Sequence, residues 1–155
     1  MRLEHLRARA TVLRALRAFL DAQGFLEVET PLAVPCPGLD VHLAALEVKG
    51  LGAPRWLATS PEYQMKRLLS AGLPRIYQIG RCFRRGELGH HHEPEFTMLE
   101  LYRAEAGSDE VMVDTEGLVA AAARAVLGTT VLPSGTDVAP PWERLTVEDA
   151  FREHA

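Results

Sequence analysis

The sequence predicts an α+β fold in which an antiparallel β-sheet is flanked by helices. Apolar residues recur every three or four positions over residues 3–23 and again over 108–127, which is the period of an amphipathic helix. Residues 76–79 and 96–102 instead alternate apolar and polar side chains with the period of two that is typical of a strand. A long charged connection joins these two segments, so we expect a hairpin with a functional loop.

The composition favours one domain covering residues 1–155. The chain has 155 residues, is 47% hydrophobic and carries a net charge of −4, so it has enough apolar material for one core and no global basic field for nucleic acid. Cys36 and Cys82 have the spacing of neither a zinc site nor a disulfide framework, and we expect reduced thiols. The sequence shows neither a signal peptide nor a membrane-spanning apolar run, and we expect a cytoplasmic protein without a membrane partner.

The first half of the chain begins with the helix over residues 3–23, which Gly24 is placed to end. A strand follows from Phe25, with Leu26 and Val28 as further apolar positions, and Pro31 stops it because proline has no amide hydrogen. The proline-rich residues 31–38 indicate an irregular loop. Short strands are then expected over residues 40–43, 46–49 and 56–59.

A second helix is expected to start beside Ser60, whose hydroxyl can accept the free amide hydrogens of a helix end. Pro61 suits the first helical position because its φ angle is already helical. Met65, Leu68 and Leu69 form the expected buried face, and Gly72 ends the helix.

Beyond the hairpin, the helix over residues 108–127 is closed by Gly128. Its predicted apolar side consists of Val111, Met112, Leu118, Val119, Ala122 and Val126. Residues 129–141 are rich in Thr, Gly and Pro and are expected to be extended or mobile. Residues 146–149 have the pattern of a capping box before a last short helix.

Two polar clusters lie in the hairpin connection. Arg84, Arg85 and Glu87 offer guanidinium groups that suit phosphate, although spacing alone favours a solvated loop with weak ion pairs. His90–His92 precede Glu93 and Glu95. Consecutive histidines on an extended chain alternate faces, so a metal site is less favoured than one histidine donating a hydrogen bond to an anion.

A third cluster consists of the carboxylates Glu62, Glu95 and Glu100. Glu100 lies between Leu99 and Leu101 in a strand, so it points to the opposite face of the sheet from both leucines. Either that face meets solvent or it holds a cation. The sequence alone slightly favours solvent, and it assigns no metal ligand to this chain.

Two segments resemble the catalytic core of class II aminoacyl-tRNA synthetases. The helix and strand over about residues 10–31, ending on Pro31, resemble motif 1, which builds a dimer interface in that class. Residues 76–102 resemble motif 2, two antiparallel strands with an ATP-binding loop. Within the class, Pro94-Glu-Phe-Thr-Met98 followed by Glu100 and Tyr102 is of the lysyl type.

The resemblance is closest to the lysyl-tRNA synthetase paralogue that attaches (R)-β-lysine to elongation factor P. It rests on residues 59–69 and 40–43, and on Ser60, where lysyl-tRNA synthetases usually carry alanine. It implies ATP-dependent activation of lysine or β-lysine as an acyl-adenylate, followed by transfer to a lysine of elongation factor P. On this basis tRNA is the less favoured acceptor.

The resemblance also implies roles for individual residues. The amino-acid pocket would be lined by Ser60, Glu62, Glu100 and Tyr102. ATP would be bound by Arg84, Arg85, Gly86, Glu87, His92, Glu93 and Phe96. Arg84 is the expected catalytic residue, neutralising charge on the α-phosphate together with magnesium. Glu93 stands where the family usually has asparagine, and its charge would oppose that of the phosphates.

The glycine-rich motif 3 of the class, and the acidic metal-binding strand before it, have no counterpart in this sequence. We therefore expect this chain to be the N-terminal portion of a truncated ligase, with the magnesium ligands in the missing C-terminal part, and to have little ligase activity alone. Two alternatives are open: a fragment of a lysyl-tRNA synthetase, and a non-catalytic module that dimerises and binds a ligand. A homodimer formed through the motif 1 helix is expected in each case.

Overall fold

The computed structural model describes residues 2–38 and 40–154, and it confirms the α+β class. The chain divides into two compact units, one made of the residues up to Phe19 and from Ala106 onward, the other of Leu20–Glu105. The elements in chain order are α1 (Leu3–Ala22), β1 (Leu26–Glu27), β2 (Ala33–Val34), β3 (Glu47–Val48), β4 (Arg55–Leu57), α2 (Glu62–Ser70), β5 (Arg75–Phe83), β6 (Glu95–Arg103), α3 (Ser108–Leu127) and α4 (Val147–His154).

The predicted hairpin is the largest feature of the unit Leu20–Glu105. Strands β5 and β6 pair antiparallel over nine residues each, with Gln78 opposite Glu100 and Cys82 opposite Phe96. Strand β1 adds to the other edge of β5 in parallel, so the order is β1-β5-β6 and the sheet is mixed, not purely antiparallel. Side chains alternate between the two faces of the hairpin, which places Phe96, Met98, Glu100 and Tyr102 on one face.

The short strands differ most from prediction. The strand expected from Phe25 is reduced to β1, and Leu26 is 52% exposed although the alternation predicted it to be buried. No strand forms over residues 40–43, because the chain turns there and the Leu43 amide donates to the Asp40 carbonyl. The loop predicted over residues 31–38 contains β2, which pairs with β4, and β4 pairs with β3 in a second, antiparallel sheet.

Helix α2 begins within one residue of its predicted start. Ser60 Oγ accepts a hydrogen bond of 3.1 Å from the Glu62 amide, as a capping serine should, although Pro61 is the residue at the helix boundary. Met65 is fully buried, and the helix packs against β5 and β6. The core of this unit also includes Ile76, Tyr77 and Cys82 of β5.

In the other unit, α3 matches its predicted limits and ends on Gly128 with a left-handed φ of 72°. Its buried face matches the prediction in part. Leu118 is buried and Met112, Val119 and Ala122 are half-buried, as predicted. Val111 and Val126 are exposed instead, while Asp114 and Glu116 are buried. Glu116 forms an ion pair with Arg144. The buried face of an amphipathic helix therefore includes acidic residues here because a partner of opposite charge reaches one of them.

The segment after α3 folds back on itself. Val131 bridges to Asp137, and Val138 is buried, so residues 129–141 include an ordered turn. Half of the predicted capping box is present at the start of α4: the Asp149 amide donates to Thr146 Oγ1 at 3.1 Å. The Asp149 carboxylate accepts from the Thr146 hydroxyl at 2.6 Å, whereas a full capping box would bond it to the Thr146 amide. Among the helices of the described residues, none is long and apolar enough to cross a membrane.

Candidate functional site

The strongest candidate site lies on the hairpin face that carries Glu100. Its carboxylate is half-buried and accepts hydrogen bonds from two hydroxyls: Ser60 Oγ donates to Oε1, and Tyr102 Oη donates to Oε2 at 2.9 Å. Tyr102 lies two residues further along the same strand and therefore on the same face. Ser60 reaches the face from the turn that opens α2. Three of the four residues predicted to line an amino-acid pocket, Ser60, Glu100 and Tyr102, are therefore in contact here.

Glu62 brings a second carboxylate to this face. It lies in the first turn of α2 and forms an ion pair of 2.5 Å with Lys66 one turn later. Burial raises the pKa of Tyr102, and the hydrogen bond to Glu100 and the charges of Glu100 and Glu62 raise it further. The phenol is thus held protonated beside two carboxylates.

The charge balance of this pocket is negative. Two carboxylates, Glu62 and Glu100, lie near one ammonium group, that of Lys66, which pairs with Glu62; the charge of Glu100 also raises the pKa of Lys66. Among the described residues the hydrogen-bond partners of Glu100 itself are neutral hydroxyls. A half-buried carboxylate is stabilised by a cation brought to it, and an ammonium group offers both the charge and up to three hydrogen-bond donors. The arrangement can therefore bind an amine.

A second cluster lies further along the same face. The Arg84 guanidinium lies 5.0 Å from the centre of the Phe96 ring, and its Nη1 is 3.7 Å from Glu87 Oε2. Its Nε donates to the Thr59 carbonyl at 3.4 Å. These contacts orient the plane of the guanidinium, and its remaining N–H groups can donate hydrogen bonds to an anion.

Cys82 connects the two clusters. Burial raises the pKa of its thiol to about 11, the charge of Glu100 acts in the same direction, and the charge of Arg84 opposes them. Both groups are therefore near enough to Cys82 to act on it. The two clusters are also joined through the chain, because Arg84 Nε donates to the Thr59 carbonyl and the hydroxyl of the next residue, Ser60, donates to Glu100.

The remaining predicted residues lie on the connection between β5 and β6. Arg85 is exposed, and its amide donates to the Ala44 carbonyl at 2.7 Å. Gly86 has a left-handed φ of 82°, which favours glycine at this bend. His92 and Glu93 are exposed, and among the described residues no hydrogen bond joins their side chains to either cluster.

The three consecutive histidines make different contacts. The rings of His90 and His91 are 4.3 Å apart in an edge-to-face arrangement, while His92 bonds through its backbone to Gly89. Within the described residues, no three side chains of His, Cys, Asp or Glu come together.

Two buried polar residues of the site were not predicted. Thr59 is 3% exposed and supplies the carbonyl that holds Arg84. Gln78 is 5% exposed and lies opposite Glu100 in the hairpin. The signal for Gln78 was present in the sequence, because strand alternation already placed it on the apolar face of β5, where a polar residue needs a partner.

The chain is similar in sequence to known proteins of one family. The family described as tRNA synthetases class II (D, K and N) matches residues 2–155. The protein named Lysine–tRNA ligase of Moorella thermoacetica is 42% identical over 155 residues, covering 94% of this chain and 31% of that protein. The Lysine–tRNA ligase of Bacillus subtilis is 40% identical over 154 residues, covering 94% of this chain and 30% of that protein. The chain thus spans under a third of the length of these relatives.

Proposed function

The chain belongs to the family of class II tRNA synthetases of the D, K and N type, and from this membership we propose that the Glu100 face binds lysine or a close analogue for activation by ATP. The observation that carries the proposal is the half-buried Glu100 carboxylate, which is bonded to the hydroxyls of Ser60 and Tyr102 and forms no direct ion pair among the described residues. Lysine carries two ammonium groups, and Glu62 provides a second carboxylate on the same face. The relatives' names support lysine as the amino acid.

ATP is proposed to bind along the hairpin next to this pocket. Phe96 offers an aromatic surface for the adenine ring, and Arg84 would direct its free N–H groups to the α-phosphate and the amino-acid carboxylate. Arg85, Gly86, Glu87, His92 and Glu93 lie on the connecting loop and would cover the nucleotide from that side. Magnesium, when bound, would screen the charge of the phosphates.

The reaction proposed for the whole protein is attack of the amino-acid carboxylate on the α-phosphorus, with pyrophosphate leaving. This chain contributes position and charge: Glu62 and Glu100 hold the ammonium groups, and Arg84 neutralises negative charge that develops at the α-phosphate. Tyr102 remains protonated and keeps Glu100 oriented. None of these side chains has to exchange a proton with the substrate.

For the acceptor, the comparisons favour the alternative of a lysyl-tRNA synthetase fragment over the elongation factor P ligase that the resemblance suggested. The matched relatives are named Lysine–tRNA ligase, so we infer that the whole protein serves tRNA, contrary to the expectation that tRNA is the less favoured acceptor. Ser60 was one reason for expecting an elongation factor P ligase. In the structure its hydroxyl donates to Glu100 and thereby helps to form the proposed amine pocket.

The test is calorimetric titration of the purified chain with two non-hydrolysable adenylate analogues, one carrying lysine and one carrying (R)-β-lysine. We expect saturable heat with the lysyl analogue, and tighter binding of it than of the β-lysyl analogue. No heat with either would contradict amino-acid activation at this face. A preference for the β-lysyl analogue would contradict lysine as the amino acid that this face selects.

A further inference from the structure

We infer that Gln78 is a positioning residue of the proposed amino-acid pocket, acting through Thr30 to hold Ser60 over Glu100. The inference rests on the proposed function and assigns a task to a buried polar residue that touches no substrate atom in that proposal. Gln78 is 5% exposed, and its Oε1 accepts a hydrogen bond of 3.0 Å from the Thr30 amide.

The bond between the Thr30 amide and Gln78 Oε1 extends the pairing of β1 with β5 beyond the last main-chain hydrogen bond. Strand β1 pairs with β5 at Leu26 and Glu27, and the Val28 amide still donates to the Tyr77 carbonyl at 2.8 Å. Thr30 is buried, and Pro31 after it has no amide to donate. A side-chain amide oxygen takes the place of the next main-chain acceptor, so Gln78 fixes the point at which the chain leaves the sheet.

Short hydrogen-bonded steps connect that point to the pocket. Two residues beyond Thr30, the Leu32 carbonyl accepts from the Ala58 amide at 2.9 Å. The Ala58 carbonyl accepts from the Phe83 amide at 3.0 Å, which returns the path to β5. Two residues beyond Ala58 is Ser60, whose hydroxyl bonds to Glu100. The segment that carries Ser60 is therefore held to the hairpin at Gln78 and at Phe83.

The hairpin leaves room for this amide. A Cβ atom on Gly80, the next residue on the same face of β5, would lie 2.9 Å from Gln78 Nε2, closer than real contacts allow. Glycine at position 80 thus permits the Gln78 conformation that reaches Thr30. Gln78 is also directly opposite Glu100 in the hairpin. The residue that holds the Thr30 segment and the carboxylate that Ser60 contacts are therefore cross-strand neighbours.

The first experiment measures amide hydrogen exchange at Thr30 and Ala58 in the full chain. Gln78→Met keeps the length of the side chain and removes its acceptor, so we expect exchange at Thr30 to rise by about tenfold and exchange at Ala58 to rise with it. Gln78→Glu keeps an acceptor oxygen and is expected to restore slow exchange at Thr30. Gln64→Met is the matched control, because Gln64 Oε1 accepts no hydrogen bond among the described residues, and it should leave both amides unchanged.

The second experiment titrates the same variants with the lysyl-adenylate analogue. Gln78→Met is expected to bind about tenfold more weakly than the natural chain, with melting temperature and far-ultraviolet circular dichroism close to those of Gln64→Met. Unchanged Thr30 exchange in Gln78→Met would overturn the inference. Faster Thr30 exchange with unchanged affinity would overturn it too, since the bond would then be structural only. If the natural chain itself does not bind the analogue, the proposed function fails, while the exchange data still decide whether Gln78 holds this segment.

Discussion

At the scale of single residues, Glu100 combines partial burial with neutral hydrogen-bond partners. A carboxylate pays a desolvation cost when it leaves water, and two hydroxyl donors offset only part of that cost. Hydrogen bonds donated by the hydroxyls of Ser60 and Tyr102 stabilise the half-buried Glu100 carboxylate. The unmet charge is then available to a ligand cation.

Replacing Glu100 tests this directly. We expect Glu100→Gln to weaken binding of the lysyl-adenylate analogue by about tenfold or more, because a charge-assisted hydrogen bond to the ammonium group is lost. The amide oxygen can accept from one of the two hydroxyls, and the amide nitrogen can donate to the oxygen of the other, so the thermal midpoint should change little. Calorimetric titration measures the first effect and differential scanning calorimetry the second.

Glu95→Gln is the matched control for that experiment. Glu95 begins the same strand, points to the opposite face and forms an exposed ion pair of 3.4 Å with Arg81. Its replacement should leave the affinity unchanged. Equal losses of affinity in the two variants would indicate a general charge effect and would contradict a specific role for Glu100.

Cys82 gives a prediction that depends on pH. Its pKa is raised to about 11, first by burial and then by the charge of Glu100, whereas Cys36 is exposed. At pH 8 we therefore expect one thiol per folded chain, that of Cys36, to react rapidly with iodoacetamide, and both to react in denaturant. Mass spectrometry of the labelled peptides measures this, and rapid labelling of Cys82 in the folded chain would contradict the assigned burial.

The same shift links Cys82 to stability at high pH. A thiol whose pKa is higher in the folded than in the unfolded chain stabilises the fold below the unfolded pKa of about 8.5, and this contribution is lost as the pH rises toward 11. We expect the urea midpoint of the natural chain to fall over that range. The fall should be smaller in Cys82→Ala, and an equal fall in both would show that Cys82 does not contribute.

At the scale of secondary-structure elements, α3 contains a glycine in its interior. Glycine is about 1 kcal/mol less favourable than alanine in a helix, yet a Cβ atom on Gly117 would lie 2.3 Å from Cζ of Phe19 in α1. The two helices therefore approach closely at a position that admits no side chain. Packing at this position outweighs helix propensity.

Gly117→Ala is accordingly expected to lower the free energy of unfolding by about 1–2 kcal/mol, the usual cost of overpacking. Chemical denaturation measures the change. Phe19→Leu combined with Gly117→Ala should recover part of the loss by making room for the methyl group. A stabilised Gly117→Ala variant would contradict the close contact, and Gly89→Ala, at a position with open space, serves as the neutral control.

Helix α3 also depends on an ion pair between partners of unequal burial. The side chain of Glu116 is 3% exposed and that of Arg144 is 43% exposed. Removing the arginine leaves a buried carboxylate without its cation, so we expect Arg144→Met to destabilise the chain by about 1–3 kcal/mol. Glu116→Gln combined with Arg144→Met should cost less than Arg144→Met alone, and denaturation of the two variants and the natural chain measures the difference.

At the scale of the whole molecule, the chain exposes apolar side chains on α1. Leu3 and Leu6 are 74% and 42% exposed. Because the sequence of this helix resembles motif 1, we expect it to form the contact of a homodimer. Sedimentation velocity should show a dimer or a larger species at micromolar concentration. Leu6→Glu should reduce the associated fraction, whereas Val41→Glu, at a 91% exposed position off the helix, should not. A monodisperse monomer would contradict both the dimer and the role of α1.

Part of this fold follows from local patterns. The long helices α1 and α3, the capped start of α2 and the pairing of β5 with β6 were predictable, because periodicity and capping residues act over a few neighbouring positions. Strands of two residues were not, since β2 and β1 exist only where a distant strand offers hydrogen bonds. The prediction of an irregular loop over residues 31–38 missed β2 for this reason.

The candidate site likewise has features that follow from local sequence patterns and features that depend on contacts between distant segments. The sequence by itself determined that Glu100 and Tyr102 share a face, because side chains alternate along a strand, and the family resemblance supplied the lysyl type. Only the tertiary structure decided that Ser60, 40 residues away, donates to Glu100, and that Gln78 holds Thr30. It also decided that the third carboxylate, Glu95, lies apart from the pocket, on the opposite face. Hydrogen bonds between distant segments form only when packing brings the segments together, and no local pattern encodes that distance.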